Sequence, residues 1–254
     1  MKYLIFLDID GTILPPWGTS VSPRTVDGIR RAQAEGHKVF INSGRAIGII
    51  PKDLLDTVKP DGIVAGLGVW IRADGKQMLA ETVPTEDVLF AMHYGIETGN
   101  TVILEAENGC IGIGPRPWAV VEHRVRTPEE YPVRFPDLRV SKMTFSEPLR
   151  PEEVRVLAER FSVFSHPTYA EVGVKGYSKA TGMELLRKYY GADHAHVVAM
   201  GDSDNDSEML RAAGISVAMG NAVDGIRDIA DFVTLDCRDG GVGYAIEQLV
   251  LGKE

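Results

Sequence analysis

A short apolar segment that ends in two carboxylates restricts the fold of this chain more than any other feature. Residues 3–7 form a continuous apolar run, and Asp8 and Asp10 follow it directly. A strand that is apolar at every position is typical of a sheet covered on both faces, as in parallel α/β proteins. The run is far too short to span a bilayer and has no small-residue cleavage site, so we predict a buried strand rather than a signal peptide.

Helical and strand patterns alternate after this first strand. Ser22 followed by Pro23 is typical of a helix start, and apolar residues then recur at helical spacing until Gly36. The apolar residues 39–41 predict the next strand. Because a strand, a helix and a strand in this order form a βαβ unit, we expect a parallel sheet. The same alternation returns after residue 175, which indicates that the two ends of the chain build one domain.

The middle of the chain has a different pattern. Two β-prone runs, 101–105 and 110–113, flank Asn108-Gly109, and Asn-Gly in this position is the strongest short hairpin signal. A length of 254 residues leaves room for two modest domains. We therefore predict a doubly wound, mainly parallel, Rossmann-like α/β domain interrupted by an inserted α+β domain. The predicted limits are residues 1–82 and 171–254 for the larger domain and 83–170 for the insert.

Two acidic segments follow two of the predicted strands. Asp8 and Asp10 are spaced by one residue, so on extended backbone their side chains point to the same side. The segment GDSDND at 201–206 follows the apolar run 196–200. The carboxyl ends of parallel strands meet at one edge of a sheet, so both segments are expected to reach one site. Oxygen ligands without thiols or imidazoles favour Mg²⁺. The first segment alone could equally be a turn.

Two weaker signals indicate phosphate binding at the same edge. Ser43 and Gly44 follow the strand 39–41 and offer a hydroxyl group and exposed amides at a strand end. Lys179 opens a predicted helix, where its charge opposes the helix dipole, and this position mildly indicates a compensating anion. Taken alone, each feature is more typical of an ordinary loop or of a solvated lysine.

The overall composition argues against several classes of partner. The formal net charge is −9, which disfavours non-specific binding to a nucleic-acid backbone. The two cysteines, Cys110 and Cys237, are too few for a disulfide scaffold and form no C-x-x-C pair. We therefore expect reduced thiols, a cytoplasmic location and no membrane association.

In their order along the chain, these segments resemble the motifs of haloacid dehalogenase (HAD) superfamily phosphatases, of the Cof type with a type IIB cap. DIDGT at 8–12 is similar to the first motif, and Ser43 matches the hydroxyl residue of the second. Lys179 matches the basic residue of the third motif, and the segment 201–206 is similar to the fourth. Two later segments also resemble the Cof-type pattern: AMGNA at 218–222 and DGGV at 239–242.

The resemblance implies a HAD core with an inserted α+β cap and a role for each matching residue. Asp8 would attack phosphorus and form an aspartyl-phosphate. Asp10 would protonate the leaving alkoxide and then activate the hydrolytic water. Mg²⁺ would be held by a carboxylate oxygen of Asp8, the backbone carbonyl of Asp10 and Asp202.

The remaining matches imply binding and positioning roles. Ser43, Gly44 and Lys179 would bind the phosphoryl oxygens, and Lys179 would also offset the charge of Asp8. Asn205 would bond to the phosphoryl end of the substrate or to Ser43. Asp206 would orient Lys179 or a water on the metal.

The resulting expectation is a Mg²⁺-dependent phosphatase, monomeric or homodimeric, that hydrolyses small phosphorylated metabolites such as sugar phosphates. The alternatives are a phosphomannomutase-type phosphoryl transferase, a mannosyl-3-phosphoglycerate or phosphoglycolate phosphatase, and a signalling module that only accepts phosphate on Asp8. The insert would close over the site and select the leaving group. Its weaker candidates for contact with that group are Arg116, Trp118, His123 and Arg124.

Overall fold

The computed structural model describes residues 2–16, 18–116 and 120–251. These residues form two sheets and the helices that cover them. The strands are β1 (Leu4–Leu7), β2 (Lys38–Asn42), β3 (Gly62–Ala65), β4 (Trp70–Ala73), β5 (Lys76–Ala80), β6 (Val102–Ala106), β7 (Gly109–Ile113), β8 (His123–Arg124), β9 (Val140–Phe145), β10 (Phe161–Ser165), β11 (Ala170–Val174), β12 (Val197–Gly201), β13 (Ile215–Ala218) and β14 (Phe232–Val233). The helices are α1 (Pro23–Ala34), α2 (Lys52–Val58), α3 (Thr85–Glu97), α4 (Glu130–Arg134), α5 (Pro151–Ala158), α6 (Lys179–Tyr189), α7 (Ser207–Arg211), α8 (Asp224–Arg227) and α9 (Gly241–Leu249).

The larger sheet has eight strands in the order β14-β13-β12-β1-β2-β3-β4-β5. From β14 to β3 all neighbours pair in parallel, and β4 and β5 extend the sheet as an antiparallel hairpin. The chain leaves β1 toward β3 and later returns to the other side of β1 through β12. The sheet therefore has its topological switch point between β1 and β12, where open α/β sheets bind ligands.

Helices cover both faces of this sheet. Helix α1 packs against α9, and α6 packs against α7. The two pairs lie on opposite faces, because right-handed crossovers change face where the chain reverses its direction across the sheet. Helix α1 begins after Ser22 with Pro23 in its first turn and is followed by Gly36 at φ +86°, in agreement with the predicted start and stop signals. All four residues of β1 are buried in the core between these layers.

The insert has its own sheet of six strands in the order β10-β11-β9-β6-β7-β8. One face of this sheet is apolar, and Leu104, Met143 and Val172 on that face belong to a hydrophobic core separate from that of the larger domain. The opposite face carries charged and polar side chains beside the apolar Ile103 and Phe164. Glu105 pairs across the strands with Lys142, and Thr144 pairs with Glu171, so these four side chains share one side of the sheet.

The prediction of an α/β fold with a Rossmann-like sheet and an inserted α+β domain is confirmed, but several elements of the insert were not predicted. The proline-rich stretch 115–136 predicts a loop, but it contains β8 and α4. The apolar spacing after Pro151 predicts a helix that includes Phe161, whereas α5 ends at Ala158 and Phe161 begins β10. The division into 1–82, 83–170 and 171–254 stays a prediction. Because β11 pairs within the smaller sheet, we propose that the insert ends after Val174.

No helix in the described ranges is long and apolar enough to cross a membrane.

Candidate active site

The switch point brings the first and fourth sequence motifs together. Asp8 follows β1, and its backbone N–H donates to the carbonyl of Met200 in β12 at 3.1 Å. Gly11 turns the chain after Asp8 with φ +79°, a conformation that side chains with a Cβ rarely adopt. A Cβ atom at Gly11 would lie 2.1 Å from Oδ2 of Asp202. Glycine at this position therefore lets Asp202 approach the loop that carries Asp8.

A buried ammonium group lies at the centre of the site. Nζ of Lys179 donates to Oδ1 of Asp8 at 2.8 Å, to Oδ1 of Asp206 at 2.7 Å and to Oδ1 of Asn205 at 2.9 Å. Lys179 is the first residue of α6, and the side chain of Asn42 at the end of β2 donates to its carbonyl at 3.0 Å. We call Lys179, Asp8, Asp206 and Asn205 the catalytic lysine cluster. Burial alone would lower the pKa of Lys179. The negative charges of Asp206 and Asp8 outweigh this effect, so the pKa of Lys179 is raised.

Asp8 and Asp202 are both poorly solvated and close together. Burial raises the pKa of Asp8 to about 7, with Lys179 opposing and Asp206 and Asp10 adding to the shift. Burial, followed by the charges of Asp8 and Asp206, raises the pKa of Asp202 to about 8. Carboxylate oxygens of Asp8, Asp202 and Asp206 lie within 4.8 Å of one another. A hard divalent cation between them would relieve their repulsion, so this donor set fits such an ion.

Asp206 is less available to a metal than the other two carboxylates. Its Oδ1 accepts from Lys179, and its Oδ2 accepts from the backbone N–H groups of Asp202 at 3.0 Å and Ser203 at 3.1 Å. These bonds tie the loop after β12 to Lys179. Asp206 thus fits a positioning role, as the resemblance implied, while Asp8 and Asp202 keep oxygens free of such bonds.

The loop after β2 supplies a second cation. Ser43 is buried, and its backbone N–H donates to the carbonyl of Val64 at 2.9 Å. Arg45 donates from Nε and Nη2 to the two carboxylate oxygens of Asp10, both at 2.7 Å. A guanidinium group that grips a carboxylate through two bonds fixes its orientation as well as its position. Arg45 therefore holds the half-exposed side chain of Asp10 over the site.

A second buried lysine lies on the polar face of the smaller sheet. Nζ of Lys142 forms ion pairs with Glu105, at 3.3 Å, and with Glu171. All three side chains are no more than 5% exposed. We call these three residues the cap lysine cluster. Burial opposes ionisation of Glu171, but Lys142 and His166 outweigh it and hold the pKa of Glu171 well below its usual range.

The two lysine clusters meet at one amide group. Nδ2 of Asn205 donates to Oε2 of Glu171 at 2.9 Å, while Oδ1 of the same amide accepts from Lys179. Glu171 also lies against the loop after β2, because a Cβ atom at Gly44 would lie 2.9 Å from its Oε1. The smaller sheet thus places a carboxylate in contact with two loops of the larger domain.

The predicted site residues all lie at this edge of the larger sheet, although their roles stay predictions. Arg45 and the cap lysine cluster were not predicted. Arg45 follows the apolar residues of β2 after a short loop. The three charged residues of the cap lysine cluster lie within β6, β9 and β11, on one face of the smaller sheet. Among the cap candidates, Arg116 pairs with Glu147 and Arg124 donates to the carbonyl of Gly114. His123 is exposed in β8, and Trp118 lies outside the described residues.

Comparison with known proteins identifies the family. A family model for haloacid dehalogenase-like hydrolases matches residues 5–246. The chain belongs to this family. Among curated relatives, a Bacillus subtilis 5-amino-6-(5-phospho-D-ribitylamino)uracil phosphatase is 29% identical over 252 residues, which is 98% of this chain and 96% of the relative.

Solved structures of HAD phosphatases match over the same length. A HAD-superfamily phosphatase from Bacteroides thetaiotaomicron superposes with a TM-score of 0.85 at 31% identity, covering 98% of this chain and 95% of its own. A HAD subclass IIB sugar phosphatase superposes with a TM-score of 0.84 at 27% identity, covering 98% of each chain. The resemblance to Cof-type HAD phosphatases with a IIB cap is therefore confirmed, as is the prediction of an enzyme that hydrolyses phosphoric monoesters.

Proposed function

We propose that this HAD hydrolase removes phosphate from small phosphorylated metabolites through an aspartyl-phosphate on Asp8, with Mg²⁺ as its cofactor. One observation carries the proposal: Asp8 lies at the switch point between a buried ammonium group and a second metal-compatible carboxylate, Asp202. A carboxylate nucleophile needs a cation beside it to approach a dianionic phosphate, and this arrangement supplies one in Lys179.

The chemistry divides into two displacements at phosphorus. In the first, a carboxylate oxygen of Asp8 forms a bond to phosphorus as the bond to the ester oxygen breaks, and Asp10 gives its proton to the departing alkoxide. In the second, Asp10 takes a proton from water, and that water displaces the carboxylate of Asp8 and releases inorganic phosphate. Lys179, Ser43 and the amide of Gly44 would hold the phosphoryl oxygens during both steps.

Mg²⁺, when bound, would neutralise charge that develops on the phosphoryl oxygens. Asp8, Asp202 and the backbone carbonyl of Asp10 are the ligands that we assign to it. Asp206 keeps Lys179 and the loop after β12 in place. Arg45 holds Asp10, which must exchange one of its two bonds to the guanidinium for the ester oxygen before it can donate a proton.

A sugar phosphate or a similar monoester is the substrate class that we propose. This proposal is supported by the subclass IIB sugar phosphatase that superposes on the whole chain. The sheet face that the insert turns toward the site carries Glu105, Lys142, Thr144 and Glu171, and such side chains suit a leaving group with hydroxyl groups better than an apolar one. The same face and Asp10 disfavour a signalling module, because a receiver of phosphate needs neither a lid nor an acid for a leaving group.

The test is phosphate release from a panel of phosphate esters, including p-nitrophenyl phosphate, with Mg²⁺ and after treatment with EDTA. We expect turnover that EDTA abolishes and that added Mg²⁺ restores. Asp8→Asn is expected to abolish turnover while the far-UV circular dichroism spectrum stays unchanged. Full activity of this variant would contradict the nucleophile assignment.

Two further measurements separate the alternatives. Isomerised sugar phosphate in place of free phosphate would indicate a mutase. A phosphorylated Asp8 that persists for hours without turnover would indicate a signalling module.

A further inference from the structure

Glu171 lies where the polar side chains of the smaller sheet meet two loops of the larger domain. Under the proposed function, the phosphoryl group lies against Asp8, Lys179 and the loop with Ser43 and Gly44. The ester oxygen then faces Asp10, and the rest of the leaving group extends toward the polar face of the smaller sheet. Glu171 is on that face and in contact with Gly44 and Asn205.

Acidic groups outnumber lysines on this face. Glu105 and Glu171 share the single ammonium group of Lys142. Arg45, the cation of the facing loop, is already neutralised by the two bonds that it gives to Asp10. His166, at 3.1 Å from Oε2 of Glu171, is committed to that carboxylate. Among the described residues, the leaving group would therefore meet Glu171 beside basic groups that each already face a carboxylate.

One carboxylate oxygen on the same face, Oε2 of Glu105, has no hydrogen-bond donor within reach among the described residues. This oxygen is buried, whereas Oε1 accepts from Thr144 at 2.6 Å. A buried acceptor without a partner is costly, and an ionised carboxylate can only accept. The strand that carries Glu105 reaches the larger domain just beyond Arg45, because a Cβ atom at Gly48 would lie 2.4 Å from the carbonyl oxygen of Ala106.

We propose that Glu171, supported by the other members of the cap lysine cluster, selects uncharged leaving groups rich in hydroxyl groups and rejects those with a carboxylate or a second phosphate. The inference rests on the proposed function and narrows its substrate class. It disfavours phosphoglycolate and phosphoglycerate derivatives as substrates, and also sugar bisphosphates, which a mutase must bind.

Coulomb repulsion sets the expected size of the effect. The effective dielectric constant near a protein surface is about 20. At this value, repulsion between Glu171 and a substrate carboxylate about 5 Å away would weaken binding of that substrate roughly a hundredfold. A hydroxyl group at the same place would instead donate to Glu171. Esters that differ only in this group should therefore differ by about two orders of magnitude in kcat/KM.

The experiment uses matched pairs of esters with Mg²⁺. Glycerol 3-phosphate is compared with 3-phosphoglycerate, and 2-hydroxyethyl phosphate with phosphoglycolate, because each pair differs only by a hydroxymethyl group against a carboxylate. We expect the native enzyme to prefer the hydroxymethyl member by about a hundredfold in kcat/KM. A native ratio near one, in an enzyme that hydrolyses p-nitrophenyl phosphate, would overturn the inference and leave the proposed function standing.

Variants then locate the selectivity. Glu171→Gln removes the charge with little change of shape and is expected to lower the ratio at least tenfold. Glu105→Gln is the matched control: it removes the same charge from the same lysine, but Glu105 does not contact Asn205 or Gly44. We expect this variant to keep most of the preference, and equal loss in the two variants would contradict the assignment to Glu171.

Two controls separate the remaining outcomes. If Glu171→Gln does not fold, Glu171→Asp keeps the charge and should keep the preference; its loss would also overturn the inference. If the native enzyme releases no phosphate from any ester, the proposed function itself fails.

Discussion

Lys179, in the larger domain, and Lys142, in the insert, are each buried between two carboxylates, yet the pKa values of Asp8 and Glu171 beside them shift in opposite directions. Beside Lys179, burial raises the pKa of Asp8 to about 7, and Asp202 nearby is raised to about 8. Beside Lys142, Glu171 keeps a pKa well below its usual range despite its burial. The catalytic lysine cluster therefore has more negative charge than one ammonium group can satisfy, and it fits a cation and a phosphoryl group. In the cap lysine cluster, the raised pKa of Lys142 and the lowered pKa of Glu171 both favour the charged forms.

The largest effect is expected from removing the cation of the catalytic lysine cluster. Lys179→Met leaves Asp8 and Asp206 buried without their shared partner, and removes a donor to the phosphoryl oxygens. We expect turnover of p-nitrophenyl phosphate to fall at least about a thousandfold. The free energy of unfolding should fall by about 3–5 kcal/mol, as for other buried ion pairs that lose one partner. Phosphate release and urea denaturation measure the two effects; activity within tenfold of native would contradict the role of Lys179.

The matched change in the other domain should separate stability from chemistry. Lys142→Met leaves Glu105 and Glu171 without their cation, so we expect a similar loss of about 3–5 kcal/mol in the free energy of unfolding. Turnover of p-nitrophenyl phosphate should change by less than about tenfold, because Lys142 touches neither Asp8 nor Asp10. A loss of turnover as large as that of Lys179→Met would show that the two clusters act as one unit.

Asn205 joins the clusters, and its removal should have an intermediate effect. Asn205→Ala takes an acceptor from Lys179 and a donor from Glu171, so we expect turnover to fall about tenfold to a hundredfold. A double-mutant cycle with Glu171→Gln should give a coupling energy of about 0.5–3 kcal/mol in kcat/KM, as residues of one network do. Additive effects in this cycle would indicate that the bond at 2.9 Å carries no coupling in solution.

The smallest effect is a pH dependence that belongs to the cap lysine cluster. Because the pKa of folded Glu171 is depressed, its stabilising contribution is complete above the unfolded value of about 4.3 and is lost as pH falls toward the folded value. Glu171→Gln should therefore be less stable than native at pH 7. The two free energies of unfolding should converge in acid. A constant difference between pH 7 and pH 3 in urea titrations would contradict this linkage.

Most of the catalytic edge could be predicted because its residues follow wholly apolar strands. Asp8, Ser43 and Asp202 each come after such a run, and parallel strands bring those positions to one edge. The hairpin of β4 and β5 has an equally local signal, because Asp74-Gly75 joins its two strands. Strand β10 was not predicted because Phe161 continues the helical spacing that starts at Pro151, and β11 was not predicted because Glu171 interrupts its apolar pattern.

The cap lysine cluster could not be found from local patterns in the same way. Glu105, Lys142 and Glu171 are isolated charges in three separate strands, and period-two alternation assigns such residues to a solvated face. What buries them is the contact of that face with loops of the larger domain. The pairing of β6, β9 and β11, which no short segment encodes, decides that their charges meet.

Asn205 has a consequence for anyone who would recombine these domains. A cap taken from another member of the family and spliced between β5 and α6 would keep β1, β12 and the acidic loops intact. It would still leave the amide of Asn205 facing a new surface. Unless that surface supplies an acceptor where Glu171 now stands, Nδ2 of Asn205 loses its partner, and only the bonds from Lys179 and Ser203 to Oδ1 still orient the amide. A cap for such a chimaera should therefore be chosen first for an acceptor that can replace Glu171 at Asn205, and only then for overall sequence similarity.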